Sequence, residues 1–234
     1  VKMKATSSKK IRILVAEDHA VVREGTIHVL EREPDFEVVG EAENGKEAVK
    51  LACDLLPDVA LIDIVMPELN GVEATRQIKQ LCPSVAVLIL SAYDDDQFVF
   101  SLLEAGAAGY LLKSVHGHEL IAAIRAVSEG EPVLHPAIAR KVMSHFASGA
   151  KQSKPAPSSR LSDLTPREAE IFMMAVRGIG NKDIARQLSI SVRTVQAHFT
   201  SVFKKLRVSS RTEAVLLGLK EGWLSIDEVQ LSNE

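Results

Sequence analysis

Four short apolar runs recur in the first half of the chain: Ile11-Arg-Ile-Leu-Val15, Val59-Ala-Leu-Ile62, Val85-Ala-Val-Leu-Ile-Leu90 and Gly109-Tyr-Leu-Leu112. They are rich in Val, Ile and Leu, too short for helices and apolar nearly throughout, as strands buried on both faces are. A fifth strand, Phe36-Glu-Val-Val39, follows Pro34. Between the runs lie amphipathic stretches of roughly ten to fifteen residues with helical spacing. Asn44-Gly45 opens one such helix and Pro57 closes it. Another begins near Asn70 and ends before Pro83, a third spans about Asp95 to Ala105 and stops at Gly106, and a fourth runs from about His118 to Gly130. Strands alternating with helices predict a doubly wound, five-stranded parallel sheet over residues 11–129.

The pattern then changes. Residues 130–160 read as a connection that holds one amphipathic helix, 136–146, with Pro136 at its first turn. Residues 148–160 are small, polar and proline-rich, a composition that buries too little surface to order itself. From 161 to 224 only helical spacing remains. Thr165-Pro166-Arg167-Glu168 is a capping box with proline at the first helical position, and that helix ends at Gly178. A short helix, Lys182 to Leu188, is joined by the turn Ser189-Ile-Ser191 to a longer one, Val192 to Leu206, with Ser191 as N-cap. Ser210-Arg-Thr-Glu213 starts a last helix that ends near Gly222-Trp223. Two helices across a three-residue turn predict a helix-turn-helix within an all-α second domain of four helices.

Composition narrows the class. With 234 residues, 46% apolar and 25% charged, the chain has room for two globular domains. No apolar run reaches the ~18 residues that would span a bilayer, and residues 1–10 are polar and basic, so neither membrane insertion nor a signal peptide is expected. Cys53 and Cys82 lie in helical patterns without framework spacing and are expected to be reduced core thiols of a cytoplasmic protein. The net charge is −3, but residues 177–211 hold eight basic residues and one acid, Asp183. Such a local excess is the footprint of contact with nucleic-acid phosphates, whereas a merely solvated helix face usually mixes signs.

Candidate chemistry sits at the strand ends. Glu17-Asp18, Asp63, Ser91 and Lys113 each end or follow an apolar run, and parallel sheets bind ligands outside the carboxyl ends of their strands. Any one of them alone would pass for a solvated loop residue; together they form a chemical set. Three carboxylates repel one another unless a cation neutralises them, and hard oxygen ligands favour Mg²⁺. A carboxylate can attack phosphorus, an ammonium can neutralise a phosphoryl oxygen and a hydroxyl can donate to another.

These motifs, Val15-Ala-Glu17-Asp18-His19, Asp63-Ile-Val-Met-Pro67, Leu90-Ser91-Ala92 and Gly109-Tyr110-Leu-Leu-Lys113, resemble the flavodoxin-like receiver domain of two-component response regulators. The resemblance implies that Asp63 accepts a phosphoryl group from a phosphohistidine on a sensor kinase or phosphotransfer protein. Asp18, Asp63 and the carbonyl of Val65 would ligate Mg²⁺, with Glu17 acting through water. Ser91 and Lys113 would contact the phosphoryl group, and Tyr110 would follow Ser91 inward. Glu17 stands where a first Asp is commoner. His19 reads as a helix-start residue, and His116 and His118 as loop residues, since a spacing of two does not share a helix face.

The second domain resembles the LuxR-type helix-turn-helix through Leu164-Thr-Pro-Arg-Glu168, Asn181-Lys-Asp-Ile-Ala185, Thr194-Val195…His198 and Lys204-Lys-Leu206…Val208-Ser-Ser-Arg211. The combination is similar to transcriptional regulators of the NarL/FixJ type. Val195, Val202 and Leu206 fall on the inner face of the third helix and leave Gln196, Ala197 and Thr200 on the other, where a recognition helix meets base edges. Gln pairs with adenine, and Ala or a Thr methyl meets a thymine methyl. Lys182, Arg193, Thr194, Lys204 and Lys205 complete the expected double-stranded DNA contacts, and Arg207 stands where the family often has glycine.

The function so implied is phosphorylation-controlled DNA binding, with a homodimer as the active form and no catalysis beyond self-phosphorylation and slow self-dephosphorylation. The apolar run Ala214-Val-Leu-Leu217 with Leu219 is a candidate dimer surface. Three other readings compete, one of them an interaction adaptor without DNA binding, against which the basic residues of the expected recognition helix argue. An aspartyl phosphatase usually carries a second acid two residues after the nucleophile, and here that residue is Val65. A phosphorylation-independent DNA binder would use the receiver for protein contacts alone.

Overall fold

The computed structural model describes residues 9–92, 96–149, 161, 163–221 and 223. Its first domain is a parallel sheet with strands β1 (Ile11–Ala16), β2 (Phe36–Ala42), β3 (Val59–Ile62), β4 (Ala86–Ser91), β5 (Gly109–Leu112) and β6 (Val133–Leu134), in the order β2-β1-β3-β4-β5-β6. The sheet has six strands rather than the expected five. The extra strand is two residues long and follows Pro132, too short to leave a periodic signal, yet it pairs in parallel with β5 through Gly109 and Tyr110.

Five helices cross between the strands: α1 (Ala20–Leu30), α2 (Gly45–Leu55), α3 (Gly71–Leu81), α4 (Asp96–Glu104) and α5 (Gly117–Ser128). Asn44 and Asn70 cap α2 and α3, each accepting a bond from the backbone N–H three residues on. Alternate strand residues divide the core. Leu14, Ala60, Ile62, Val87 and Ile89 pack on one side with Ala52, Ala74, Ile78 and Leu102. Ile13, Val15, Leu61 and Leu88 pack on the other with Leu30, Leu120 and Ile124. Because α2 and α3 lie side by side, Cys53 and Cys82 come together with their Cα atoms 5.8 Å apart and are joined in a disulfide. The expected pair of reduced thiols is corrected accordingly.

The connecting helix α6 (Pro136–Gly149) starts at its predicted proline, while residues 150–160 of the expected linker lie outside the described set. The second domain consists of α7 (Pro166–Val176), α8 (Asn181–Gln187), α9 (Val192–Leu206) and α10 (Arg211–Lys220). Thr165 and Glu168 close the predicted capping box. Ser189, in the tight turn between α8 and α9, and Arg207, which ends α9, both adopt left-handed backbone conformations. Ile171, Ala175, Ile184, Val195 and Phe199 fill one half of the small core. Phe172, Val202, Leu206 and Ala214 fill the other. Of the candidate dimer surface, Leu216 packs into the receiver core with Leu134 and Val142, while Ala214, Val215, Leu217 and Leu219 pack into the core of the second domain itself. Among the described residues, no helix is long and apolar enough to cross a membrane.

Candidate functional site

The sheet order explains how distant residues converge. Ala16 pairs with Ile62, so Glu17 and Asp63 emerge side by side from β1 and β3, and the Asp63 N–H donates to the Ala16 carbonyl at 3.0 Å. Ser91 ends β4 opposite Leu112, and Lys113 follows with its N–H on the Ser91 carbonyl at 2.8 Å. Glu17, Asp63 and Ser91 are buried. Lys113 Nζ lies 2.6 Å from Glu17 Oε2 and 3.1 Å from Asp63 Oδ2, while Asp63 Oδ1 is buried with no partner among the described residues.

The electrostatics follow from this packing. Burial pushes the Asp63 carboxyl up, with Lys113 pulling against it. Burial also works against the Lys113 ammonium, but its bonds to Glu17 and Asp63 prevail and hold it above the ordinary lysine value. His19 N-caps α1, as expected of a helix-start residue, yet its Nδ1 also sits 2.8 Å from Asp18 Oδ1 and 3.2 Å from Glu17 Oε1. The hydrogen bond to Asp18 leads the causes that raise its pKa. The oxygens of Glu17 and Asp18 and the ring nitrogen of His19 lie within 4.8 Å of one another. The clustered Glu17 and Asp18 carboxylates, with an unpartnered buried oxygen on the neighbouring strand end at Asp63, are hard oxygen ligands of the kind that fit a divalent cation such as Mg²⁺.

Arg23 was not legible as part of this site. Its buried guanidinium donates to the Glu17 carbonyl and to Glu43 Oε1, both at 2.7 Å, and so fixes the backbone that carries the acidic pair. Gly71 is the other hidden support: a Cβ there would meet the Asp63 carbonyl at 2.2 Å. Val65 lies in the β3–α3 loop with its side chain half-exposed, and Tyr110 on β5 is fully buried. Tyr110 is therefore already inside the core in this structure.

On the second domain, Arg193, Gln196, Ala197, Thr200 and Lys204 lie on the exposed side of α9, and Lys182 is exposed on α8. Thr194 is half-buried beside Ser191 at the start of α9. Lys205 behaves differently from the phosphate contact expected of it. Its ammonium lies 2.6 Å from the buried Glu168 carboxylate, which also accepts from Ser201 at 2.6 Å. Between the domains lies a cleft of about 750 Å³, with Lys79, Pro83 and Ala108 on the receiver side and Gln196, Phe199 and Lys204 on the other. Gln196 Nε2 donates to the Glu129 carbonyl at 3.3 Å. The Gln196, Thr200 and Lys204 side of α9 therefore opens onto this cleft toward the receiver while staying exposed within it.

Residues 13–125 match the response regulator receiver domain, and residues 162–217 match the luxR family of bacterial regulatory proteins. The chain is 42% identical over 206 residues to the transcriptional regulatory protein LiaR of Bacillus subtilis, covering 88% of this chain and 95% of that one. It is 37% identical over 230 residues to the transcriptional regulatory protein DegU of Brevibacillus brevis, covering 94% and 98%. Among solved structures, the response regulator ChrA of a heme-sensing two-component system superposes with a TM-score of 0.51 at 32% identity, covering 93% of this chain and all of that one. The chain belongs to the two-component response regulators that join a receiver domain to a DNA-binding, LuxR-type helix-turn-helix.

Proposed function

We propose that this protein is a phosphorylation-controlled transcriptional regulator in which Asp63 accepts a phosphoryl group from a phosphohistidine. The donor would be a sensor histidine kinase or a phosphotransfer protein. The observation that carries this reading is the convergence of Glu17, Asp63 and Lys113 around the unpartnered Asp63 Oδ1. An Asp63 oxygen attacks phosphorus, the new O–P bond forms and the N–P bond to the donor imidazole breaks. Glu17, Asp18, Asp63 and the Val65 carbonyl would hold Mg²⁺, which supplies charge neutralisation on the phosphoryl oxygens. Lys113 neutralises one phosphoryl oxygen and Ser91 donates to another. No acid stands two residues after Asp63, which supports a stable adduct over turnover of free substrates.

The output is opening of the molecule. β5 joins the site to the domain contact: Lys113 follows its carboxyl end, while Ala107 and Ala108 precede its start. Their carbonyls accept from Ser210 Oγ at 3.2 Å and Thr212 Oγ1 at 3.0 Å. A shift of β4 and β5 around a new phosphoryl group, with roughly −1.5 to −2 added charge, weakens those bonds and frees α9 and α10. Gln196, Ala197, Thr200, Arg193 and Lys204 then reach double-stranded DNA, and the α10 face becomes available to a second copy.

The test is intact mass and elution volume after incubation with Mg²⁺ and a small phosphodonor, for wild type and Asp63→Asn. One phosphoryl adduct on wild type alone, with a shift toward dimer, is expected. Equal adducts on both proteins, or equally tight DNA binding by the unphosphorylated and phosphorylated wild type, would overturn the reading.

A further inference from the structure

The turn between α5 and β6, Glu129-Gly130-Glu131, is seated in the helix-turn-helix. Every polar contact it makes there has the same direction, with acceptors on the turn and donors on the DNA-binding domain. The Glu129 carbonyl accepts from Asn181 Nδ2 at 2.6 Å as well as from Gln196. The Glu129 carboxylate lies 3.0 Å from Lys182 Nζ. Glu131 Oε1 accepts from the Asn181 backbone N–H at 2.5 Å, and its Oε2 lies 3.3 Å from the buried Arg211 guanidinium. Gly130 makes the fit possible. Its left-handed φ of +81, which L side chains rarely adopt, turns the chain between the two acids.

We propose that Glu129 and Glu131 form an acidic decoy that holds the DNA-binding domain shut and that the phosphate backbone of double-stranded DNA competes with it directly. The proposal rests on the reading of α9 as the DNA-contacting helix and adds what keeps that helix from DNA. A carboxylate offers two anionic acceptor oxygens, as a phosphodiester does, and Lys182 and Gln196 are two of the residues through which this domain would meet DNA. The two acids differ in strength. Lys182 and Glu129 are both well exposed, so their attraction is screened and contributes little. Glu131 faces an arginine whose burial lowers its pKa, with Glu131 acting against that lowering. Its carboxylate also bonds the first N–H of α8, so Glu131 carries most of the clamp. Salt then has two opposed effects on the unphosphorylated protein: it weakens DNA contacts and it weakens the clamp.

The experiment measures affinity for one fluorescent DNA duplex over a series of salt concentrations, using the full chain. It compares wild type, Glu129→Gln/Glu131→Gln, and Glu24→Gln/Glu31→Gln. The last removes the same charge from exposed positions on α1 and at its C-cap. The decoy predicts that the turn variant, unphosphorylated, binds roughly tenfold tighter than wild type with a steeper salt dependence. It also predicts that the α1 variant matches wild type, and that the turn variant and wild type converge once phosphorylated. Unchanged affinity in the turn variant would overturn the proposal. So would an equal gain in the α1 variant, or an equal gain in phosphorylated protein, since either would mean general repulsion of DNA and not a clamp. Absence of any adduct at Asp63 would instead count against the phosphorylation reading and leave the unphosphorylated comparison intact. Circular dichroism checks that each variant is folded.

Discussion

Lys113 Nζ lies closer to Glu17, at 2.6 Å, than to Asp63, at 3.1 Å. The ammonium is thus bound to Glu17 as well as to Asp63, the proposed phosphoryl acceptor. A divalent cation drawn to this crevice meets repulsion from Lys113 and competition for Glu17. Lys113→Ala is therefore expected to tighten Mg²⁺ binding, by about 1–2 kcal/mol for a charge at this distance in partly shielded surroundings. It should also slow phosphoryl transfer roughly a hundredfold, because a cation that meets the developing charge is gone. Calorimetric titration with MgCl₂ and the time course of adduct formation check both. Weaker Mg²⁺ binding would show that Lys113 shapes the acidic pocket more than it repels the ion.

Gly71 and Gly25 offer a matched pair of glycine-to-alanine changes. A Cβ at Gly71 would stand 2.2 Å from the Asp63 carbonyl and 2.8 Å from Ile64 Cα, both backbone atoms that cannot move without moving Asp63. At Gly25 on α1 nothing lies within 4 Å. Gly71→Ala should cost about 1–3 kcal/mol of stability and reduce adduct formation along with it. Gly25→Ala should stabilise by about 0.5–1 kcal/mol through helix propensity and leave the adduct yield unchanged. Thermal unfolding and intact mass report the two effects.

The convergence of Glu17, Asp63, Ser91 and Lys113 was legible because each ends or follows an apolar strand, and parallel order β1-β3-β4-β5 places those ends together. What the sequence could not show were partners brought together only by folding. Cys53 in α2 and Cys82 at the C-cap of α3 are 29 residues apart, and nothing in their spacing shows that α2 and α3 pack side by side. Lys205 looked like a free basic residue because its partner, Glu168, is 37 residues earlier in another helix. Glu129 and Glu131 carry no sequence signal of their own, because the domain they contact begins some thirty residues later across the connecting segment. Arg23 lay on a helix face where an arginine is usually solvated; only the fold turns it toward the Glu17 carbonyl.

Gln196 and Lys204 should separate sequence reading from phosphate contact. Both are exposed on α9, but Gln196 also bonds the Glu129 carbonyl, so its loss opens the clamp slightly as well as removing a base contact. The comparison therefore belongs in phosphorylated protein. There Gln196→Ala is expected to cost about 1–3 kcal/mol on one base pair and to relax preference at that position. Lys204→Ala should weaken binding to all duplexes and reduce the salt slope by about one. Binding to a panel of duplexes with single base-pair changes, each at two salt concentrations, distinguishes them. Equal losses on every duplex from both changes would mean that Gln196 does not face the bases.

Glu168 ties the stability of the second domain to pH. Its carboxylate accepts from Lys205, Ser201 and the Thr165 backbone, in that order of effect, and is held down to about 2. A carboxylate depressed in the folded state binds fewer protons than in the unfolded chain, so its stabilisation is present above the unfolded value of about 4.5 and is lost as pH falls toward 2. Lys205 is partly open to water, which limits the contribution to about 1–2 kcal/mol. Thermal unfolding at pH 7, 4 and 3 should show a falling midpoint in wild type. Glu168→Gln should start lower at pH 7 and lose less on acidification, because it has no carboxylate to protonate. Lys205→Met should raise the Glu168 titration seen by NMR toward the ordinary carboxylate range. A Glu168 that titrates normally with Lys205 intact would mean that the contact between them does not persist in solution, and Lys205 would then be available to DNA.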